Sequence, residues 1–253
     1  MLMHRVMPCL LLRNRALVKT VRFKDASYVG DPINTIRIFN EKEVDELILL
    51  DITATTDNKR PNLDLLSDMA GECFMPLAYG GGVKSLEDFR ALFGLGVEKV
   101  AVNSAAFTDP GLISQAAGAF GSQSVIGAID VKKSLWGKYK VCHHGGRQVA
   151  EVGPVEWARR LEELGAGEIL LTSVERDGTF QGYDLELVRQ VSQAVGVPVI
   201  ACGGAGKLEH LGQAVKQAGA SAVALGSMVV YQGPHRAVLI NFPRPQDLKA
   251  MVD

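Results

Sequence analysis

Leu77-Ala78-Tyr79-Gly80-Gly81-Gly82-Val83-Lys84 returns about 123 residues later as Ile200-Ala201-Cys202-Gly203-Gly204-Ala205-Gly206-Lys207. A longer correspondence extends from this pair in both directions. Leu86-Glu87 matches Leu208-Glu209, and Val102-Asn103-Ser104 matches Leu225-Gly226-Ser227. Glu46-Leu47-Ile48-Leu49-Leu50 matches Glu168-Ile169-Leu170-Leu171-Thr172, and Gly30-Asp31-Pro32 matches Gly153-Pro154. One half-sequence is written twice. Carried back to the first apolar run, the repeat sets Pro8-Cys9-Leu10-Leu11 against Gly127-Ala128-Ile129-Asp130. A leucine stands in one half where a carboxylate stands in the other.

Eight short apolar runs alternate with amphipathic stretches. Strands are predicted at Val6–Leu11, Glu46–Asp51, Met75–Tyr79, Lys99–Val102, Ser124–Asp130, Glu168–Thr172, Val197–Ala201 and Ser221–Leu225. The runs are nearly all apolar and do not alternate, as in parallel strands buried on both faces. Helices are predicted over Leu86–Phe93 and Val155–Leu161, with Gly94 and Gly165 as their stops. Eight strand-helix units predict a (β/α)₈ barrel, a TIM barrel, as one domain over 1–253. Its half-barrels divide at about 1–122 and 123–253.

Of the 253 residues, 47% are apolar and 22% charged, with a net charge of −1 and no basic block. That balance argues against a nucleic-acid or membrane-surface partner. No apolar run reaches the roughly 18–20 residues of a membrane span. The opening Met1–Met7 is too short for a signal peptide, so a cytoplasmic protein is expected. The four cysteines, at 9, 73, 142 and 202, have no paired spacing. Cys9 and Cys202 are expected to be reduced core or pocket-wall thiols. The five histidines show no ligand spacing, so neither a metal nor any other cofactor is expected.

Two connections exceed the usual length. Arg13–Gly30 carries Arg13, Arg15, Lys19, Arg22 and Lys24 and reads as a basic loop, a lid facing phosphate. Lys132–Gly153 reads as a small hairpin turning at His143-His144-Gly145-Gly146, either at the mouth or as solvated decoration.

Glycine at a strand end lets backbone N–H groups approach a phosphate. Gly81 and Gly82 follow strand 3, Asn103 and Ser104 end strand 4, and Gly178 and Thr179 follow strand 6. Gly203 and Gly204 follow strand 7, and Gly226 and Ser227 follow strand 8. Symmetric clusters predict two phosphate sites and a ligand with a phosphate at each end. Four carboxylates are candidates at the same face: Asp130 as the catalytic acid or base, with Asp51, Asp177 and Asp184. At the opposite end, Arg5, Glu46, Lys99 and Glu168 open their strands and predict an alternating ring of bases and acids. The ring is either a stabilising salt-bridge network or a gate on the barrel axis.

These residues resemble the cyclase subunit of imidazole glycerol phosphate synthase, the HisF family, over nearly the whole chain. The resemblance rests on Asp51-Ile52-Thr53-Ala54, Gly80-Gly81-Gly82, Ala128-Ile129-Asp130, Arg176-Asp177-Gly178-Thr179, Gly182-Tyr183-Asp184 and Gly203-Gly204-Ala205-Gly206. It implies a glutaminase partner on the N-terminal face of the barrel. It also implies ammonia passing the Arg5–Glu46–Lys99–Glu168 gate to a bisphosphorylated ligand at the other face. Lys19, Asp51, Thr172 and Asp177 are the polar residues it implies there, beside Asp130. The family's strand 1 ends in an aspartate that pairs with the strand-5 aspartate as acid and base. Here that position is Leu11, and Arg13-Asn14-Arg15-Ala16 departs from the family's loop as well. With Gly233–Asn241, these departures resemble a divergent branch. Members of that branch accompany sugar amidotransferases in making acetamidino sugars for surface polysaccharides. An authentic histidine-pathway cyclase and a non-catalytic ammonia conduit are the alternatives.

Overall fold

A computed structural model describes residues 4–134, 136–233 and 235–252. Eight parallel strands close on themselves: β1 (Arg5–Arg13), β2 (Leu47–Asp51), β3 (Leu77–Gly80), β4 (Lys99–Val102), β5 (Val125–Lys133), β6 (Glu168–Ser173), β7 (Val199–Cys202) and β8 (Ala222–Leu225). The β1–β8 ladder, which pairs Arg5 with Ala222, completes the ring. Helices follow the strands, so the architecture is the (β/α)₈ barrel expected. Pro32 and Pro154 each occupy the first turn of a helix, Pro32–Glu41 and Pro154–Glu163, where a missing N–H costs nothing.

Two shells of side chains hold the barrel. The outer shell packs strands against helices, with Phe39, Phe89, Leu66 and Leu161 fully covered. The inner shell fills the barrel axis with Met7, Cys9, Ile48, Ile126, Leu170 and Ile200, and with the small side chains of Ala78, Ala101, Ala222 and Ala224.

Three expectations need correction. The helix after β3 runs Leu86–Gly94, so Gly94 lies inside it. The left-handed residue that ends the turn is Gly96, with φ of +94°. Gly165, with φ of +103°, does follow its helix as expected. Second, Arg13–Gly30 is no loop. β1 runs on to Arg13, then Ala16–Val21 and Lys24–Gly30 fold back as an antiparallel ribbon. The hairpin expected over Lys132–Gly153 is present: Tyr139–His143 pairs with Gln148–Val149, and β5 extends to Lys133 to join it. Third, Asp184 is not a mouth residue. It caps the helix Leu185–Ser192 by accepting the Leu187 N–H, and it holds Tyr139 and Lys133.

The internal repeat is geometric as well as textual. Gly81 and Gly82 have φ of +125° and +72°, and Gly203 and Gly204 have +91° and +109°. A Cβ on Gly81 would stand 2.5 Å from the Asp51 carbonyl oxygen; on Gly203 it would stand 2.7 Å from that of Ser173, the matching residue. Only glycine fits either turn.

Candidate active site

A cavity of about 500 Å³ opens at the C-terminal ends of the strands. It is lined by Lys19, Asp51, Asn103, Ser104, Asp130, Thr172 and Asp177, and by the paired turns Gly81-Gly82, Gly203-Gly204 and Gly226-Ser227, with Gly178 between them. Thr179, named from sequence as a phosphate contact, does not line it. Its hydroxyl donates to the Arg176 carbonyl at 2.7 Å, closing its own turn.

β5 carries Asp130 to the cavity, and neighbouring strands fix its surroundings. The Asn103 side-chain amide, at the end of β4, donates to its Oδ2 at 3.0 Å. The Cys142 thiol, on the ribbon, donates to its backbone carbonyl at 3.4 Å. Burial first, then the charge of Asp177, pushes the Asp130 carboxyl up to about 7. A group poised there exchanges protons readily at neutral pH.

Asp177 follows β6. Its Oδ2 accepts the Thr20 hydroxyl at 2.9 Å and the Phe23 N–H at 3.5 Å, which ties the first ribbon to the mouth. Burial raises its carboxyl above the usual range, and Thr20 and Lys19 pull it partly back. Lys19 is 5% exposed and donates to the Cys9 carbonyl. Burial lowers its ammonium below the ordinary lysine value. Cys9 and Cys202 line the same floor as free thiols; the Cys202 hydrogen bond, with help from Lys19, lowers the Cys9 thiol. Asp51 is committed to its own loop. Its Oδ1 accepts the Thr53 N–H, the Thr53 hydroxyl and the Ala54 N–H, each at 2.9 Å.

Ladder registers show what Leu11 replaces. Asp130 on β5 pairs with Thr172 on β6. In the other half, Leu11 on β1 pairs with Leu50 on β2. The repeat therefore puts an apolar pair, Leu11 and Leu50, where its mate has an acid and a hydroxyl, and all four line the cavity.

Sequence reading missed four contributors. Thr20 and Phe23 looked like loop residues, and Cys142 carried no signal at all. Arg147, exposed on the second ribbon, lines the rim among the cavity residues; a cation directly after Gly145-Gly146 was its only trace. The two ribbons meet across the mouth, since a Cβ on Gly146 would lie 3.2 Å from the Phe23 ring.

At the other end of the barrel the four charged residues close into a ring. Arg5 contacts Glu46 at 2.6 Å and Glu168 at 3.0 Å; Lys99 contacts Glu46 at 2.9 Å and Glu168 at 3.0 Å. Glu46 Oε1 and Glu168 Oε2 are buried without a hydrogen-bond partner. Among the described residues there is no cluster of three or more metal-binding side chains, and no helix long and apolar enough to cross a membrane.

Comparison with known proteins adds the chain's relatives. Residues 5–235 match the family model described as histidine biosynthesis protein. A Pseudomonas aeruginosa protein, provisionally named imidazole glycerol phosphate synthase subunit hisF2, is 55% identical over 243 residues, 96% of this chain and 97% of that one. A Leptospira borgpetersenii protein with a similarly provisional name, subunit HisF, is 45% identical over 252 residues, covering 99% of both chains. The imidazole glycerol phosphate synthase subunit HisF of Alkaliphilus metalliredigens is 43% identical over 231 residues, 91% of this chain and 92% of that one.

Proposed function

The chain belongs to the family of histidine biosynthesis proteins, and on that premise we propose that it is a divergent HisF-like cyclase subunit of the imidazole glycerol phosphate synthase type. It takes ammonia from a glutaminase docked on the N-terminal face and uses it at the opposite mouth. A bisphosphorylated ligand lies across that mouth. One phosphate sits at Gly82 with Asn103 and Ser104; the other sits at Gly204 with Gly226 and Ser227. The carrying observation is this arrangement: one cavity lined by two glycine turns of matched backbone and by Asp130. The ring of Arg5, Glu46, Lys99 and Glu168 supports an entry for a small polar molecule, because two of its carboxylate oxygens, Glu46 Oε1 and Glu168 Oε2, are buried without a partner.

Leu11 sets this chain apart from a cyclase with two cooperating carboxylates. We read its role as supplying ammonia chemistry to acetamidino-sugar synthesis in company with a sugar amidotransferase, in the cytoplasm. Removing one partner of a proton-transfer pair costs roughly 10²–10⁴-fold. Turnover of the ribulosyl aminoimidazole bisphosphate at saturating ammonium, with no glutaminase present, is therefore expected to run that far below an ordinary cyclase. Turnover at an ordinary rate would favour the histidine-pathway cyclase instead. Failure of that ligand to bind at all would remove the bisphosphate reading.

A further inference from the structure

The two-fold repeat gives a carboxylate at one of its two matched ladder positions, since Leu11 is the mate of Asp130. Five carboxylates line the cavity: Asp25, Asp51, Asp57, Asp130 and Asp177. Asp25 is exposed on the ribbon rim, and Asp57 is exposed and paired with Lys59 at 2.9 Å. Asp51 spends one oxygen on three bonds that hold its own loop. Asp177 remains. Its Oδ2 is anchored by Thr20, while its Oδ1 takes no hydrogen bond among the described residues. It is close enough to Asp130 for its charge to act on that group.

We propose that Asp177 is the second proton-transfer residue of this site, working with Asp130 in the place that Leu11 leaves empty. The inference rests on the cyclase reading above for its substrate. The two carboxyls line one cavity, and one of them carries the proton while the other is ionised. The ionised carboxylate takes a proton from the bound ligand, and the protonated carboxyl returns one, so charge balances within the site and no oxidant or cofactor enters. Two carboxylates lining one cavity and largely withdrawn from solvent do not both ionise readily. The surroundings fit this division. Lys132 and Cys142 lie beside Asp130, and Lys19 lies beside Asp177.

Asp177→Asn keeps an oxygen for Thr20 and removes the proton. Ammonia-driven turnover of the ribulosyl substrate should fall about 10²-fold in kcat, with KM changed less than about threefold. The same substitution in a Leu11→Asp background should cost less than about tenfold, because the new carboxylate makes Asp177 redundant. Asp177→Glu should recover part of the loss. Equal losses in both backgrounds would mean that Asp177 only holds the ribbon through Thr20, and would overturn the proposal. A second readout needs no turnover, so it separates this idea from the choice of substrate. Carboxyl ¹³C NMR of the folded protein should show the Asp130 midpoint fall in Asp177→Asn. An unchanged midpoint would show that the two groups do not act on one another, and would overturn the pairing even if the cyclase reading holds.

Discussion

Burial of the Asp130 carboxyl carries a cost that depends on pH. The carboxyl sits near 7 because burial resists ionisation and Asp177 repels it. In an unfolded chain the same group titrates near 4. The folded state therefore holds this proton more tightly, and stability is full below pH 4 and lost as pH rises through 7. Asp130→Asn removes that penalty and keeps a hydrogen-bond acceptor for Asn103. We expect the variant to be more stable than the parent at pH 8, by up to a few kcal/mol, and indistinguishable from it near pH 4. Urea unfolding at the two pH values tests this; a constant difference would mean that the carboxyl is not displaced. The candidacy of Asp130 was legible in sequence, because the repeat placed an acid at a strand end. The roles of Thr20 and Cys142 were not. They reach the site through antiparallel pairing across the ribbons, which leaves no periodic trace.

At the scale of elements, the eight barrel strands were legible because each is a buried apolar run, and their ends fell within a few residues of expectation. The hairpin at Lys132–Gly153 was legible from its His-His-Gly-Gly turn, but the first ribbon was not. Lys24–Gly30 is polar and mostly exposed, so it lacks the alternation that marks a half-buried strand. The glycine stop after β3 was misassigned for a different reason. Gly94 and Gly96 are two residues apart, and only backbone geometry separates them. Gly94 is exposed, helical and clear of any neighbour, whereas Gly96 has a positive φ. Gly94→Ala should stabilise the protein by about 0.5–1 kcal/mol, since glycine disfavours a helix interior by that much. Gly96→Ala should destabilise it by a similar or larger amount, because alanine resists that backbone. Thermal melts of the pair decide the matter, and the reverse order would restore Gly94 as the stop.

Over the whole molecule, two ends of one barrel carry different chemistry along a common axis. A closed ring of four charges occupies one end, an apolar core fills the middle, and a cavity with matched glycine turns opens at the other. The two-fold repeat built that mouth symmetrically and then broke the symmetry at one ladder pair. Leu11 with Leu50 makes one wall apolar; Asp130 with Thr172 makes the other acidic. The central claim is that this broken pair, and not a rebuilt cavity, separates the chain from an active cyclase. The most direct test is Leu11→Asp, assayed for ammonia-driven turnover of the ribulosyl aminoimidazole bisphosphate. The account predicts a gain of at least about tenfold in kcat over the parent, with the glycine turns untouched and KM little changed. A folded variant that binds the ligand but shows no gain would contradict it.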